Sequence, residues 1–297
     1  MNSFHKKNSA IAMGNFDGFH LGHQKIVETL SDIANRKRLV SVVLTFTPNP
    51  KIFFKKEKRL IISDSEKKKL LEALGVDRVA FVDFERYYLM DGLTFIKKVL
   101  IGQFSMAHII VGENFKFGVK RSDDIESLKT FSRVLHFDVT IVQPESLKGT
   151  VISSSLIRKK LAEGQVDLAN QMLGRCYFID GVVSRGNKIG TSMGIPTINI
   201  NAENLILPGG VFKTSVKIGS RTYDSVTNIG SKPTFDRNGK GIESHILNFN
   251  GMIYGKQVRI FFKKKIRNEK KFNSKMELIQ QIKKDLESIT VDKDPHF

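Results

Sequence analysis

The spacing of apolar and polar positions changes twice along the chain. In the first half, short apolar runs such as AIAMG (10–14), LVSVVLTF (39–46) and MAHIIVG (106–112) alternate with stretches whose apolar residues return every three or four positions. Short apolar runs predict buried strands, and the longer spacing predicts amphipathic helices. Because strands that alternate with helices form a parallel sheet covered on both faces, the first half is predicted to be an α/β Rossmann-like domain.

After Gly174 the helical spacing gives way to strand-like segments separated by turns that contain glycine and asparagine. These segments are CYFIDGVVSRG, GVFKTSVKIG, RTYDSVTNIG, ESHILNF and KQVRIFFKKKI. The pattern predicts an all-β domain, and we expect a barrel. A capping box formed by Ser274 and Glu277, followed by an apolar stripe, predicts a C-terminal helix.

The change of pattern also predicts the domain organisation. We expect one domain over residues 1–172 and a second over 173–297, joined by a helical bridge, SSSLIRKKLAEGQVDLANQMLG. Within the first domain the segment SEKKKLLEAL is expected to be a helix whose cap is Ser65 or Asp64.

Composition narrows the class of protein. The 297 residues carry a formal net charge of +18, which attracts anions such as nucleotides, nucleic acids or membrane surfaces. No nucleic-acid-binding motif accompanies that charge, so we expect small-molecule rather than nucleic-acid substrates. Cys176 is the single cysteine, and neither a signal-peptide core nor a membrane-spanning run is present, so we expect a cytoplasmic protein without a membrane partner. The sequence leaves open whether it is a monomer or a weak homo-oligomer.

Candidate chemistry first appears in AIAMGNFDGFHLGHQKIVETL (10–30), where two histidines, His20 and His23, lie in the turn between a predicted strand and a predicted helix. Glycines at such a junction let the backbone approach a phosphate, and the helix start offers free N–H groups. Two histidines three residues apart can hydrogen-bond the charge that develops on an attacked α-phosphate. Two alternatives remain open from the residues alone: ordinary surface histidines at a turn, or a pair that shares a metal ion.

The longer string GNFDGFHLGHQ closely resembles the amino-terminal module of the bacterial bifunctional riboflavin kinase/FMN adenylyltransferase (FAD synthetase) family. TFTPNP (45–50), VGENFKFG (111–118) and SSSLIR (153–158) continue that resemblance, with Ser155 where threonine is usual. The resemblance implies that His20 and His23 stabilise the transition state of adenylyl transfer. It also implies nucleotide-binding and flavin-binding residues: Gly14, Asn15, Phe16, Gly22, Ser154, Ser155 and Arg158 for the nucleotide, and Asn114 and Phe117 for the flavin. Without the resemblance, Arg158 would be interpreted as a solvated helix residue.

The second domain carries GNKIGTSMGIPTINI (186–200), a glycine-rich stretch with oxygen-bearing side chains. Threonine and asparagine oxygens suit Mg²⁺, although the spacing by itself favours a β-turn with a polar rim. The stretch resembles the riboflavin kinase signature, which implies that Gly190 and Thr197 bind the nucleotide, and that Thr197 and Asn199 bind the metal. IESHIL (242–247) and IRNEKKF (266–272) extend the likeness.

By the same resemblance, Glu243 is the general base of the kinase and Arg267 lies near the flavin. The alternatives are an outward-facing strand residue for Glu243 and a plain surface charge for Arg267. A glutamate is a reasonable base, because phosphoryl transfer needs positioning, charge neutralisation and an oriented nucleophile.

Taken together, the sequence predicts a riboflavin kinase-like barrel that makes FMN from riboflavin and ATP. The Rossmann-like domain then makes FAD and pyrophosphate from FMN and ATP, and both steps use Mg²⁺. Two other functions stay open. An adenylyltransferase without kinase activity is suggested by Thr191, where the family frequently has arginine. A flavin- or RNA-binding regulator is suggested by the net charge and the basic run KKKIRNEKK (263–271).

Overall fold

The structure, a computed structural model, describes residues 8–57, 59–185, 195–202, 205–231 and 240–291. The chain divides into two units, residues 1–154 and 155–297.

The first unit is built on a five-stranded sheet in which all neighbouring strands are parallel, in the order β3-β2-β1-β4-β5. The strands are β1 (Ser9–Met13), β2 (Val40–Thr47), β3 (Arg78–Asp83), β4 (Met106–Gly112) and β5 (Asp138–Val142). A small hairpin, β6 (Ser146–Leu147) and β7 (Thr150–Val151), follows. The strand pattern agrees with the predicted α/β Rossmann-like fold.

Helices connect the strands of this sheet. They are α1 (Leu21–Lys37), α2 (Pro50–Phe53), α3 (Asp64–Ala73), α4 (Phe84–Tyr87), α5 (Gly92–Phe95), a π-helical turn (Ile96–Ile101), α6 (Gly102–Phe104), a 3₁₀ turn (Val119–Arg121) and α7 (Ile125–Leu135). The α3 cap was predicted at Ser65 or Asp64, and that prediction is wrong. The Ser63 hydroxyl accepts from the Glu66 N–H at 3.3 Å, so the helix begins one residue earlier than the capping pattern suggested.

The sheet is buried on both faces, as expected for parallel strands. Ile11 and Met13 of β1 belong to one apolar cluster, whereas Ala10 and Ala12 belong to another. Because successive residues of a strand point to opposite faces, the uninterrupted apolar run AIAM serves both clusters.

The second unit contains a closed six-stranded barrel in the order β10-β11-β12-β9-β8-β13, with every paired neighbour antiparallel. Its strands are β8 (Tyr177–Ser184), β9 (Ile198–Asn201), β10 (Gly210–Ile218), β11 (Arg221–Ser231), β12 (Lys240–Ile246) and β13 (Gln257–Arg267). Closure leaves no free sheet edge. The predicted barrel is confirmed, although the sequence pattern missed β9, whose four residues were interpreted as part of a polar turn.

Three helices complete the description: α8 (Ser154–Ala162), which starts at the unit boundary, α9 (Val166–Leu173) and α10 (Lys275–Val291). The Ser274 hydroxyl caps α10 by accepting from the Glu277 N–H at 3.2 Å, as predicted. Leu286 of this helix packs against Val211 and Val226 on the outer face of the barrel. The predicted apolar stripe therefore covers part of the barrel wall.

Candidate functional site

The histidine turn emerges where the sheet reverses its strand order. β1 pairs with β2 on one side and with β4 on the other. The segment after Met13 therefore leaves the carboxyl edge of the sheet at its topological switch point, the usual ligand-binding position of open α/β sheets.

The two histidine rings lie against each other in this turn. The rings of His20 and His23 are stacked, with centroids 3.7 Å apart and planes 18° apart. Phe16 meets His23 edge-on at 5.2 Å. His20 is the N-cap residue of α1 and is only 6% exposed, which excludes the alternative of ordinary surface histidines.

Burial and positive neighbours keep His23 uncharged. Removal from water lowers the pKa of His23 well below its usual range, and the charges of His20 and Lys67 lower it further. The His23 Nδ1 atom is buried and has no hydrogen-bond partner within the described part of the chain. A neutral imidazole at neutral pH can donate one ring hydrogen bond to an incoming oxygen.

The backbone of the turn takes conformations that L-residues rarely adopt. Phe16 and Phe19 have φ of 48° and 42°, and Gly18 has φ of 81°. A side chain at Gly18 would also meet Ile61 at 3.0 Å. Strained backbone conformations of this kind cluster at functional sites. Here the burial of both phenylalanine side chains keeps the backbone in place.

The lysine at position 67 is a residue that the motif search did not single out. Its ammonium group is buried beside the turn and donates to the Asn15 carbonyl at 3.1 Å. One signal in the sequence could have identified it. Lys67 lies four residues before the buried Leu71, on the face of α3 that packs inward.

Ser154, at the end of the first unit, is also held at the histidine turn. Its hydroxyl donates to the Asp17 carbonyl at 2.8 Å. Ser155 and Arg158 follow on α8 and belong to the second unit, which begins at Ser155. The Arg158 side chain is buried, at 7% exposure, so its interpretation as a solvated helix residue is wrong.

The two residues predicted to contact flavin differ in exposure. Asn114 is exposed just after β4, at the carboxyl edge of the sheet. Phe117 is 6% exposed, and its ring stacks on Phe115 with centroids 5.3 Å apart and contributes to the apolar core. The backbone of Phe117 pairs with Asp123, and Asp124 caps α7. Residues 122–124, with the sequence SDD, therefore close this loop and start the helix.

In the barrel, Glu243 lies in a row of polar residues that crosses three strands. Glu243 of β12 is opposite Asn199 of β9 on one side and opposite Asn228 of β11 on the other. Residues directly opposite in antiparallel strands point to the same face, so the three side chains share the outer face of the barrel. Sequence analysis had connected Asn199 with Glu243 only through the resemblance, and it missed Asn228.

A cavity of about 520 Å³ is lined by Thr197, Ile198 and Ser244, which neighbour the row in the chain, and not by Glu243, Asn199 or Asn228 themselves. Ser244 is also the end of a chain of buried hydroxyl groups inside the barrel. Thr227 donates to Ser244 at 3.0 Å, and Thr214 is 2.7 Å from both Thr227 and Ser225. These hydrogen bonds satisfy polar groups that would otherwise be costly to bury.

Arg267 is held by the C-terminal helix. Its guanidinium group forms a two-pronged ion pair with the Asp285 carboxylate, with contacts of 2.8 to 3.1 Å. Asp285 is 3% exposed and also accepts from Gln281 at 2.9 Å. The interpretation of Arg267 as a plain surface charge is therefore wrong.

Among the described residues, no three His, Cys, Asp or Glu side chains are arranged as a metal site, so His20 and His23 have no third ligand of those types there. None of the helices in that part of the chain combines the length and apolar character needed to cross a bilayer. Gly190 and Thr191 lie outside the described residues.

Comparisons with known proteins cover almost the whole chain. The family model for FAD synthetase matches residues 3–156, and the model for riboflavin kinase matches residues 173–291. A bifunctional riboflavin kinase/FMN adenylyltransferase of Buchnera aphidicola subsp. Schizaphis graminum is 37% identical over 95% of this chain and 93% of its own. The enzyme of that name from Bacillus subtilis is 36% identical over 93% of this chain and 90% of its own.

A solved structure resembles both units together. It is a crystal structure of a protein from Streptococcus pneumoniae described as a macrolide-efflux protein, which matches with a TM-score of 0.87 and 29% identity. The match covers 95% of this chain and 93% of that one. The two family models and the near full-length relatives lead to one conclusion: the chain belongs to the bifunctional riboflavin kinase/FMN adenylyltransferase family.

Proposed function

We propose that this protein makes flavin cofactors in two steps. The barrel unit phosphorylates riboflavin with ATP to give FMN and ADP, and the α/β unit adenylylates FMN with ATP to give FAD and pyrophosphate. The observation that carries the proposal is the stacked histidine pair at the switch point, with His20 buried, in a chain whose barrel aligns Glu243 with Asn199. Both activities are those for which the relatives are named.

In the adenylyl transfer, a phosphate oxygen of FMN attacks the α-phosphorus of ATP. The new oxygen–phosphorus bond forms as the bond to pyrophosphate breaks, and pyrophosphate leaves. His20 and His23 hydrogen-bond the α-phosphate oxygens and stabilise their charge in the transition state. The buried, neutral state of His23 supports this role, because a donor in a dry site acts on charge more strongly than one in water.

Other residues of the adenylyl-transfer site bind rather than react. We assign the triphosphate to backbone groups and polar side chains of the first unit, Gly14, Asn15, Phe16, Gly22 and Ser154, and the family resemblance alone adds Ser155 and Arg158 as nucleotide-binding residues. Close packing at two glycines supports this assignment, since a Cβ at Gly14 would crowd the Phe16 ring at 3.3 Å and one at Gly22 would crowd the His20 ring at 3.3 Å. Asn114 and Phe117 are assigned to the flavin, Asn114 as a direct contact and Phe117 as support for the loop.

In the kinase step, the terminal ribityl hydroxyl of riboflavin attacks the γ-phosphorus of ATP, and ADP leaves. Glu243 accepts the hydroxyl proton as general base. Its position between two asparagines supports this role, because amide side chains on both sides can hold the carboxylate in place. Thr197 and Gly190 are assigned to the nucleotide phosphates and Arg267 to the flavin.

Thr197 and Asn199 fit a magnesium ion in the kinase unit. Asn199 lies directly opposite Glu243, Thr197 comes two residues before Asn199 in the chain, and Mg²⁺ prefers oxygen ligands. The ion would neutralise phosphate charge when bound.

The proposal assigns adenylyl transfer to residues 1–172 and the kinase to residues 173–297. The ends of the two family matches, at 156 and 173, support that division. A cytoplasmic location is part of the proposal, since Cys176 is the single cysteine of the chain and needs no oxidising compartment.

A time course with purified protein tests the function. Riboflavin, ATP and Mg²⁺ are incubated with the protein, the flavins are separated by chromatography, and a parallel sample contains EDTA. We expect FMN to appear first and FAD afterwards, with neither product in EDTA.

Other outcomes would replace the proposal by one of the alternatives. If riboflavin stays unchanged but added FMN is converted to FAD, the chain is an adenylyltransferase without kinase activity. If neither product forms and RNA is bound in a salt-sensitive way, the chain is a binding protein.

A further inference from the structure

The three consecutive lysines of α3 differ sharply in their surroundings. Lys67 is 1% exposed, whereas the side chains of Lys68 and Lys69 are 53% and 68% exposed. A buried ammonium group is costly unless it is paired and hydrogen-bonded. Exposed lysines keep a helix soluble, but this does not explain why Lys67 is buried.

The contacts of the Lys67 ammonium group connect it to the histidine turn. It forms an ion pair with Asp64 at 2.8 Å and donates to the Asn15 carbonyl at 3.1 Å and to the Thr45 hydroxyl at 3.5 Å. It also lies 5.5 Å from the centre of the Phe81 ring. Two strands and the turn thus meet at one buried cation.

The Asn15 carbonyl receives two donors, from Lys67 and from the Thr45 hydroxyl at 3.2 Å. In a trans peptide the N–H of the next residue points away from that carbonyl. The Phe16 N–H is therefore directed away from Lys67, and it has no acceptor within the described residues. A buried N–H without an acceptor is rare, and this one is suited to an oxygen of a bound ligand.

The charge of Lys67 also acts on the histidines. His20 and Lys67 both lower the pKa of His23, after the larger effect of burial. Two acidic groups beside this arrangement are already engaged. Asp64 pairs with Lys67, and a carboxylate oxygen of Asp17 accepts from the Ile61 N–H at 3.0 Å.

We propose that Lys67 is a positioning residue for adenylyl transfer. By fixing the Asn15 carbonyl, it directs the Phe16 N–H toward the α-phosphate and keeps the histidine pair in place. The inference rests on the proposed adenylyltransferase activity. Lys67 would add a residue of α3 to this site. The other hydrogen-bond donors that the first unit contributes come from the histidine turn and from Ser154.

The test compares three variants of the full-length chain: Lys67→Met, Lys67→Arg and, as a matched control on the same helix, Lys68→Met. FAD formation from FMN and FMN formation from riboflavin are measured in each preparation. The kinase reaction then reports whether the rest of the chain is intact.

For Lys67→Met we expect kcat of FAD formation to fall roughly 100-fold, the size of effect produced by a small misplacement of reacting groups. KM for FMN and kinase activity should change little. Lys67→Arg should recover most of the loss, because it keeps a positive donor at this position, and Lys68→Met should match the unmodified protein.

The pH profile separates positioning of the site from general support of the fold. Without the Lys67 charge, the pKa of His23 rises toward its usual value, so the acid limb of kcat should move to higher pH in Lys67→Met. The limb should stay in place in Lys67→Arg. Titration of the histidine ring signals by NMR in the ligand-free protein should show the same shift.

Each contrary outcome has one meaning. If the unmodified protein makes no FAD from FMN, the proposed function fails. If it does so and Lys67→Met keeps its kcat and its pH profile, the inference about Lys67 is overturned. If Lys67→Met loses both activities in parallel, Lys67 serves the fold rather than the site, and the inference is again overturned.

Discussion

The two units assemble their candidate sites in different ways. In the α/β unit, the glycines, Asn15, Phe16 and both histidines lie within residues 14–23, in the turn that follows β1 and the first residues of α1. In the barrel, Asn199, Glu243 and Asn228 come from three strands and meet only because β9, β12 and β11 pair in one register.

The difference shows which interactions fix each site. The histidine turn depends on its local backbone conformation and on its buried side chains. Changes to the side chains of the turn should therefore act directly on the rate of adenylyl transfer. The barrel row depends on strand register, and a shift of one residue would place Glu243 on the opposite face. The barrel site should therefore be sensitive to whatever stabilises its strands.

The largest effect is expected for His23→Ala, which removes one imidazole from the histidine turn and leaves the barrel unchanged. FAD formation from FMN should fall by about 100- to 1000-fold, because a donor to the transition state is lost in a dry site. FMN formation from riboflavin should stay within experimental error. Chromatography of both flavins measures the two rates, and unchanged FAD synthesis would remove His23 from the site.

Glu243→Gln is the reciprocal change and serves as the control for His23→Ala. Loss of a general base should slow riboflavin phosphorylation roughly 100-fold or more. FAD synthesis from added FMN should continue at its normal rate, because the histidine turn is untouched. A kinase that retains its full rate would show that Glu243 is not the base.

The smallest effect is expected for Asp285→Asn, which tests how strongly the barrel site depends on its support. Loss of the ion pair to Arg267 should lower the free energy of unfolding by about 1–3 kcal/mol, less than for a fully buried pair because Arg267 is partly exposed. Denaturant unfolding measures the change. Lys284→Gln, an exposed neighbour on α10, is the matched control.

The same variant tests the assignment of Arg267 to the flavin. Without Asp285 the guanidinium group is no longer held in one orientation, so KM for riboflavin should rise. An unchanged KM alongside the loss of stability would show that Arg267 only anchors α10 to the barrel.

Much of the fold could be predicted because its signals are local. The strand MAHIIVG has the predicted limits, and apolar spacing correctly identified α1 and α10. The predictions were wrong where several neighbouring residues suit the same structural role. Ser63, Asp64 and Ser65 are all acceptable caps, and packing of α3 selected the first of them.

The sites were predictable to different degrees for the same reason. His20 and His23 stood out because they share a short glycine-rich turn. Lys67 did not, because a lysine among three lysines has the signature of a solvated helix face. Arg267 lies in a basic run, and its partner Asp285 is on a separate helix.

The sequence by itself determined the alternation of strands and helices, the change to a barrel, and the histidine turn, since these depend on the spacing of neighbouring residues. The tertiary structure decided that Lys67 is buried against Asn15, that Glu243 stands between two asparagines, and that Asp285 holds Arg267. These pairings join residues far apart in the chain. They form when strand register and helix packing bring their elements together, and spacing along the chain does not encode such contacts.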